Sequence, residues 1–260
     1  MNEIIRISFW ELLGAAGLVA IAAIVSIMLR LKLEKEMIIG TVRAFVQLMI
    51  VGYVLDWIFA LNKWYLVTAL LLLMIATASY NAMRRQTKRF PGLMSRFALA
   101  IALSSVAAIS LGIGLIVRPS PFWDPQYLIP IGGMIIGNTM SSGALAVDRL
   151  YSEIRLRRGQ IEAALSLGAS VHISSLPATR AAVKAGMLHI ISTTMVVGIV
   201  HLPGMMTGQI IGGVEPGTAV RYQLIIMYIL IAATALSSLI STLLIRNLFF
   251  TKRAQLIMPE

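Results

Sequence analysis

Cysteine is absent from this 260-residue chain, and charged residues make up only 13% of it. Without cysteine there is no disulfide framework and no thiolate metal site. Hydrophobic residues account for 58% of the chain and the mean hydropathy is +0.85. Soluble domains are typically about 45–50% apolar and about 25% charged. The composition therefore excludes an ordinary soluble domain and indicates an integral membrane protein.

Acidic residues are also scarce. The chain has 11 Asp and Glu against 22 Lys and Arg, which gives a formal charge of +11. In a soluble protein this balance would suggest nucleic acid as a partner. In a membrane protein it reports topology, because Lys and Arg collect in cytoplasmic loops. We therefore expect this chain to lie in a lipid bilayer and to bind no nucleic acid.

Enzyme motifs are missing as well. The sequence has no GxxxxGK[ST] phosphate loop, no HExxH and no GxSxG. His172, His189 and His201 are scattered without ligand spacing, and we interpret them as structural or interfacial residues. We expect no catalytic residues and no cofactor bound by this chain.

Long apolar runs are what the chain has instead. A membrane-crossing helix needs about 20 mainly apolar residues. Seven segments are candidates: 9–29, 38–61, 64–82, 97–117, 127–147, 186–202 and 222–245. We expect the first to be retained, because its apolar region is too long for a signal peptide and Glu11 lies at its start. The sixth is short and runs into His201-Leu-Pro-Gly204, so we expect it to be broken or partly re-entrant.

The basic residues predict the orientation of these spans. Seventeen of the 22 lie in the segments 30–37, 83–96 and 148–186 and in the tail from Arg246. The positive-inside rule then places the N-terminus outside and the C-terminus in the cytoplasm, which agrees with an odd number of spans. All four tryptophans fall near predicted outer boundaries. We expect an all-α, multi-pass protein of the cell (inner) membrane, with residues 1–260 forming a single transmembrane domain.

Polar residues inside the predicted spans are candidates for a translocation path. Arg43 and Gln47 share one face of the second span, where Arg43 either snorkels to the interface or lines a pathway. Its partner could be Asp148 or Glu153. The fifth span carries a polar cluster, and the 202–209 segment combines proline and glycine with methionine. Hydrogen bonding between helices and apolar packing are the alternatives for these residues. The candidates from both segments are Asn138, Thr139, Met140, Ser141, Met205, Met206 and Gln209.

The basic segment 148–186 contains a short amphipathic helix. Positions spaced by 100° place Ile161, Ala164, Leu165 and Gly168 on one apolar face, and Gly168 suits a left-handed C-terminal cap. A second helix is expected to start near Ser174, with Pro177 in its first turn. From these residues alone, a helix lying on lipid headgroups and a helix docking on a protein are both possible.

The stretch Glu162-Ala-Ala-x-x-x-Gly168 resembles the EAA loop of ABC-transporter permeases. In those proteins the loop forms a coupling helix that docks in a groove of the ATPase subunit. The resemblance implies that Ile161, Glu162, Ala163, Ala164, Leu165 and Gly168 form the ATPase-coupling segment. Ile161 and Leu165 are then expected to enter the groove.

Three longer stretches resemble one family of permeases. They are GTVRAFVQLMIVGYVLDWIF (40–59), IPIGGMIIGNTMSSGALAVDRL (129–150) and MVVGIVHLPGMMTGQIIGG (195–213), and they are similar to the FetB family, also called UPF0014. The resemblance implies a separate ATPase that holds ATP and Mg²⁺, and a homodimer of this chain. Bacterial members imply export of iron or a related metal, and a plant relative implies a nucleotide sugar or other small solute. An ion-driven secondary transporter is disfavoured because no acidic residue lies in mid-membrane.

Overall fold

The structure is a computed structural model that describes residues 8–251 and 253–258. Within them the chain is helical, apart from turns and isolated β-bridges. The α-helices are α1 Phe9–Met28, α2 Glu34–Leu61, α3 Trp64–Arg84, α4 Leu93–Ile109, α5 Pro125–Leu156, α6 Arg158–Ser166, α7 Val171–Val196, α8 Gly204–Ile211 and α9 Pro216–Arg246. A π-helical segment, Ser110–Val117, continues α4, and a 3₁₀ turn, Asn247–Phe249, follows α9. The chain divides into two compact units, which are described in turn.

The first unit contains α1 and α2. Ser8 begins α1 through a capping box with Glu11, which satisfies amide groups that the first helical turn leaves free. The turn between the helices is held by Ser26, whose buried hydroxyl donates to Glu34 Oε1 at 2.8 Å and accepts from Leu33 N at 3.1 Å. Along α2 almost every apolar side chain is exposed, with Ile58 as the buried exception. Such a helix is typical of one that faces lipid or another protein.

The second unit is a bundle in which α5 is central. α5 packs against α3, α4, α7 and α9, and α9 also packs against α4 and α7. Asp124 caps α5 by accepting from Gln126 N, and Pro125 occupies the first helical position, where its missing N–H costs nothing. The 32 residues of α5 extend over about 48 Å. Its stretch from Pro125 to Val147 carries no charge and measures about 34 Å, close to the thickness of a bilayer's hydrocarbon core.

Small residues bring α5, α7 and α9 close together along a seam. A Cβ added at Gly143 would lie 2.8 Å from Ser241 Oγ, and one added at Gly186 would lie 2.8 Å from the Ser142 carbonyl oxygen and against Ser238 Oγ. Neither position has room for a side chain, so glycine is required for this approach of the backbones. Glycine and serine commonly have this role between membrane helices.

The same contacts show that α7 stops part-way through the bundle. Gly186 lies level with Ser142 and Ala146 of α5. α7 runs antiparallel to α5 and continues for ten residues, about 15 Å, to Val196, which places its end near the level of Met134. That level is close to the middle of the uncharged stretch of α5. The expected break in the 186–202 segment is observed, but it lies at Val196, earlier than His201, where a turn with Gly198 at φ +84° and a bridge between Val197 and His201 follow the helix.

Five helices in the described residues are long and apolar enough to cross a membrane. They are Glu34–Leu61, Trp64–Arg84, Leu93–Gly114, Pro125–Leu156 and Pro216–Phe249. α7 does not join them, and Arg180 and Lys184 lie near its middle. Within the described residues, α1 contributes a further apolar helix, Gly17–Met28. The count of seven and the orientation of the ends stay predictions.

Candidate docking site and membrane path

α6 is joined to α5 by one residue. Arg157 ends α5 and immediately precedes α6, and its amide donates to Glu153 O. The Glu153 side chain is only 4% exposed and binds both neighbouring guanidinium groups, Arg149 Nη2 at 2.6 Å and Arg157 Nε at 2.8 Å. A buried carboxylate is retained where it is paired on both oxygens, and the pair with Arg157 holds this junction residue against the last turn of α5.

The end of α6 agrees with the sequence prediction. Gly168 has φ +85°, and its amide donates to Leu165 O while the Ala169 amide donates to Ala164 O, each at 3.0 Å. This pair of bonds is the Schellman motif, which glycine favours because it adopts left-handed φ without strain.

The expected start of the next helix is wrong by about four residues. Ser170 is the cap of α7, accepting from Ile173 N at 3.3 Å, and Ser174 already lies inside the helix. Pro177 consequently sits in the second turn, where it removes the amide that would bond Ile173 O. Pro177 is exposed, so water can reach this part of the helix backbone.

The apolar face of α6 is turned toward the bundle. Ile161 is 1% exposed and belongs to the main hydrophobic core, and Leu165 is partly buried against the same core. Contrary to expectation, Ile161 therefore anchors α6 to its own chain and cannot insert into a partner's groove. The exposed residues of α6 are Arg158, Gly159, Gln160, Ala163 and Ser166. Leu167, which follows the helix, is 89% exposed.

A C-terminal hairpin, described at residues 250–251 and 253–257, forms the second wall of this surface. It is closed by a bridge between Phe250 and Leu256 and by Ile257 N donating to Phe249 O at 2.7 Å. Phe249 anchors it through edge contacts with Phe90. Together the hairpin and α6 border a groove of about 520 Å³, whose α6 wall is Glu162, Leu165 and Ser166.

Sequence reasoning missed this hairpin. From the sequence, the tail is interpreted as a basic cytoplasmic end. Its apolar residues could have indicated that it packs on the bundle; they are Phe249, Phe250, Leu256 and Ile257.

The predicted polar cluster of α5 divides between two surroundings. Thr139 is fully buried, where its hydroxyl lies 3.2 Å from Ser105 Oγ and its carbonyl accepts from Ser237 Oγ at 2.7 Å. Met140 packs against the core. Thr139 thus hydrogen-bonds between helices and Met140 packs in the core, which are the structural alternatives to lining a translocation path.

Asn138 and Ser141 instead border a cavity of about 110 Å³ between α5, α7 and α9, with His189 of α7 on another wall. His189 was interpreted from the sequence as structural. Because His189 and Asn138 are far apart in the sequence, no local pattern indicates that they lie close together in space.

The other path candidates lie elsewhere. Met205 and Met206 are partly buried on α8, and Gln209 Oε1 is buried without a hydrogen-bond partner among the described residues. Arg43 and Gln47 are exposed on α2, in the first unit. The partners suggested for Arg43 are otherwise engaged: Glu153 binds two arginines, and Asp148 accepts from Thr87 Oγ1 at 2.6 Å. Within the described part of the chain, no three His, Cys, Asp or Glu side chains form a group able to hold a metal ion.

Comparison with known proteins identifies the family. A family model described as "Uncharacterised protein family (UPF0014)" matches residues 9–250. The chain belongs to the UPF0014 family. It is 38% identical over 238 residues to the UPF0014 membrane protein YjkA of Bacillus subtilis, a match covering 92% of this chain and 94% of YjkA.

Two further UPF0014 relatives bear names that point to metals. The probable iron export permease protein FetB of Escherichia coli is 34% identical over 246 residues, covering 95% of this chain and 93% of FetB. The protein ALUMINUM SENSITIVE 3 of Arabidopsis thaliana is 32% identical over 243 residues, covering 94% and 88%. No solved structure matches the chain. As a UPF0014 member with five long apolar helices, it is a multi-pass membrane protein.

Proposed function

We propose that this chain is the permease subunit of an ABC transporter and that a separate ATPase drives export of iron or a related metal through it. The observation that carries the proposal is α6. It is a nine-residue helix, bearing the Glu162-Ala-Ala-x-x-x-Gly168 pattern, fixed to two long bundle helices and presenting exposed residues at its outer side. Similarity to the probable iron export permease FetB supports the metal.

The way α6 is held suits it to transmit force. Ile161 buries one side of the helix in the core, and the ion pair of Glu153 with Arg157 holds the residue that precedes α6 to the end of α5. The Schellman turn at Gly168 leads directly into the Ser170 cap of α7. Movement imposed on α6 is therefore passed to both helices, because neither connection contains a flexible linker.

In this proposal the cytoplasmic ATPase binds ATP and Mg²⁺, and two copies of the chain pair with two ATPases. Leu167 and Ala163 form the contact on α6, with the C-terminal hairpin beside them. Glu162 is paired with Arg158 at 2.8 Å on the helix surface and contributes to the shape of this contact. A large exposed apolar side chain such as Leu167 is the kind of residue that anchors an interface.

The test is co-purification of the ATPase with the full-length chain in mild detergent. Leu167→Asp leaves the bundle intact, because Leu167 is almost fully exposed, and we expect it to reduce the retained ATPase about tenfold or more. Leu31→Asp, at an exposed leucine in the turn between α1 and α2, is the matched control. The coupling role fails if no ATPase co-purifies with the wild type, or if both variants retain it equally.

Transport is tested separately in proteoliposomes that contain the permease and its ATPase. Fe²⁺ should stimulate ATP hydrolysis in the wild type and not in Leu167→Asp. A rate of hydrolysis that is the same with and without Fe²⁺, Mn²⁺, Co²⁺ and Zn²⁺ would refute metal export.

A further inference from the structure

The connection between α3 and α4 carries a concentration of positive charge. We call the segment 84–92 the basic loop, because it contains no Asp or Glu and exposes four cationic side chains: Arg84, Arg85, Lys88 and Arg89. Among the described residues, none of the four forms an ion pair with a carboxylate. Their charge is therefore available to a partner outside the bundle.

Two helices place the basic loop at the edge of a bilayer's hydrocarbon core. The stretch of α3 from Trp64 to Met83 is uncharged and measures about 30 Å, the thickness of that core, and it leads directly to Arg84. On α4, Arg96 lies in the first turn, and the remainder of the helix is uncharged. The loop thus joins two apolar helices at the same boundary.

The contacts of the basic loop with α5 give the same depth. Gln86 Nε2 donates to Ala144 O at 3.1 Å, and Thr87 Oγ1 donates to Asp148 Oδ1 at 2.6 Å. These contacts lie where the uncharged stretch of α5, which ends at Val147, gives way to charge. Asp148 offsets at most one of the four positive charges, so the loop stays cationic at headgroup level.

Exposed aromatic and apolar side chains lie directly below the charges. Tyr80 is 46% exposed one turn before Arg84, and the Arg84 guanidinium carbon lies 5.7 Å from the centre of its ring. Tyrosine is enriched where a membrane helix passes from hydrocarbon to headgroups. Met94, in the first turn of α4, is 43% exposed. The loop therefore presents cations beside surface that suits acyl chains.

The basic loop is also held in a defined shape. Arg89 Nη2 donates across it to Arg84 O at 3.0 Å. Phe90 packs edge-on against Phe249, with ring centres 5.7 Å apart, and Leu93 is fully buried at the start of α4. A surface that is ordered before binding loses less conformational entropy when a ligand arrives.

We propose that the basic loop binds the phosphate headgroups of anionic phospholipids in the adjacent leaflet. Guanidinium and ammonium groups donate charge-assisted hydrogen bonds to phosphate oxygens, and basic residues next to membrane helices attract anionic lipids. The acyl chains of such a lipid lie against the exposed apolar surface of α3 and α4. This inference does not depend on the proposed transport function.

The depth of the basic loop favours a lipid over a soluble protein. α5 continues for nine residues, about 13 Å, beyond Val147 to Leu156 before α6 begins. A soluble partner approaching along this axis meets α6 first, whereas a lipid headgroup lies at the level of the loop itself.

The experiment titrates the full-length chain in a neutral detergent with phosphatidylglycerol and, separately, with phosphatidylcholine of the same acyl chains. Native mass spectrometry counts the lipids retained. The wild type should bind phosphatidylglycerol about tenfold or more tightly than phosphatidylcholine, because each basic group near an anionic surface contributes about fivefold. Arg85→Gln combined with Lys88→Gln should lose most of this preference and keep its binding of phosphatidylcholine.

Both substituted side chains are exposed and form no hydrogen bond with the described residues, so the thermal stability of this variant should equal that of the wild type. Arg155→Gln combined with Arg158→Gln is the matched control. It removes the same charge at the far end of α5 and the start of α6, and it should keep the preference for phosphatidylglycerol.

Equal binding of phosphatidylglycerol by the wild type and the Arg85/Lys88 variant overturns the proposal, as does an equal loss in the two double variants. Free glycerol phosphate distinguishes the lipid from a soluble anion: if it binds as tightly as the intact lipid, the loop is not a lipid site. Release of a co-purified ATPase by the Arg85/Lys88 variant, with lipid retention unchanged, would assign the loop to a protein partner instead.

Discussion

Replacing Gly186 by alanine should destabilise the bundle, although alanine is the better helix former. The new Cβ would lie 2.8 Å from the Ser142 carbonyl oxygen, 3.0 Å from Ala146 Cβ and against Ser238 Oγ. Two of these neighbours belong to the body of α5 and cannot swing away. Overpacking of this kind costs about 1–3 kcal/mol, whereas the change from glycine to alanine in a helix gains about 1 kcal/mol.

Gly52→Ala is the matched control, because Gly52 lies inside α2 and a Cβ there meets nothing within 4 Å. The two variants should differ by the overpacking cost alone, about 1–3 kcal/mol, which corresponds to roughly 2–12 °C in Tm. The assay is thermal unfolding in detergent followed by tryptophan fluorescence. Adding Ser238→Ala to Gly186→Ala should recover part of the loss. Equal Tm values for Gly186→Ala and Gly52→Ala would refute the close approach of α5, α7 and α9.

Other expectations concern the surroundings of α6. Gly168→Ala should cost about 1–2 kcal/mol because of its φ of +85°, and Gly168→Asn should cost less; equal thermal stability would contradict the left-handed turn. Glu153→Gln should lose about 1–3 kcal/mol, since two charge-assisted bonds to a buried carboxylate are weakened, whereas Glu162→Gln, whose pair is exposed, should lose under about 0.5 kcal/mol. A similar loss of stability in Glu153→Gln and Glu162→Gln would show that burial of Glu153 does not strengthen its ion pairs. Leu256→Asp should speed hydrogen exchange at the Thr251 and Ile257 amides, and unchanged exchange would argue against packing of the hairpin on the core.

Much of the helical framework could be predicted from hydrophobic runs. The expected span 64–82 lies within α3, and the sixth span breaks as expected, since its helix ends at Val196 before the turn at Gly198. The left-handed end of α6 at Gly168 was also predictable, because few residues other than glycine adopt that conformation.

Predictions failed where they depended on tertiary packing. The amphipathic pattern of α6 showed an apolar face but not whether that face is covered by the same chain, and the structure buries Ile161 internally. Ser170 and Ser174 are both good caps, so local preference could not choose between them. The meeting of His189 with Asn138 depends on how two helices cross, which no local pattern encodes.

The seam between α9 and its neighbours has a mechanical consequence. Ser238 and Ser241 are fully buried and have no hydrogen-bond partner among the described residues, and each faces a glycine on the opposite helix. At these two points the helices are held by the close fit of serine against glycine rather than by a hydrogen bond. α5 and α7, in contrast, are tied to each other through α6. α9 is fastened to α5 beside these points by the Ser237 hydroxyl, which donates to Thr139 O at 2.7 Å, so a shift of α9 along α5 would have to break that bond.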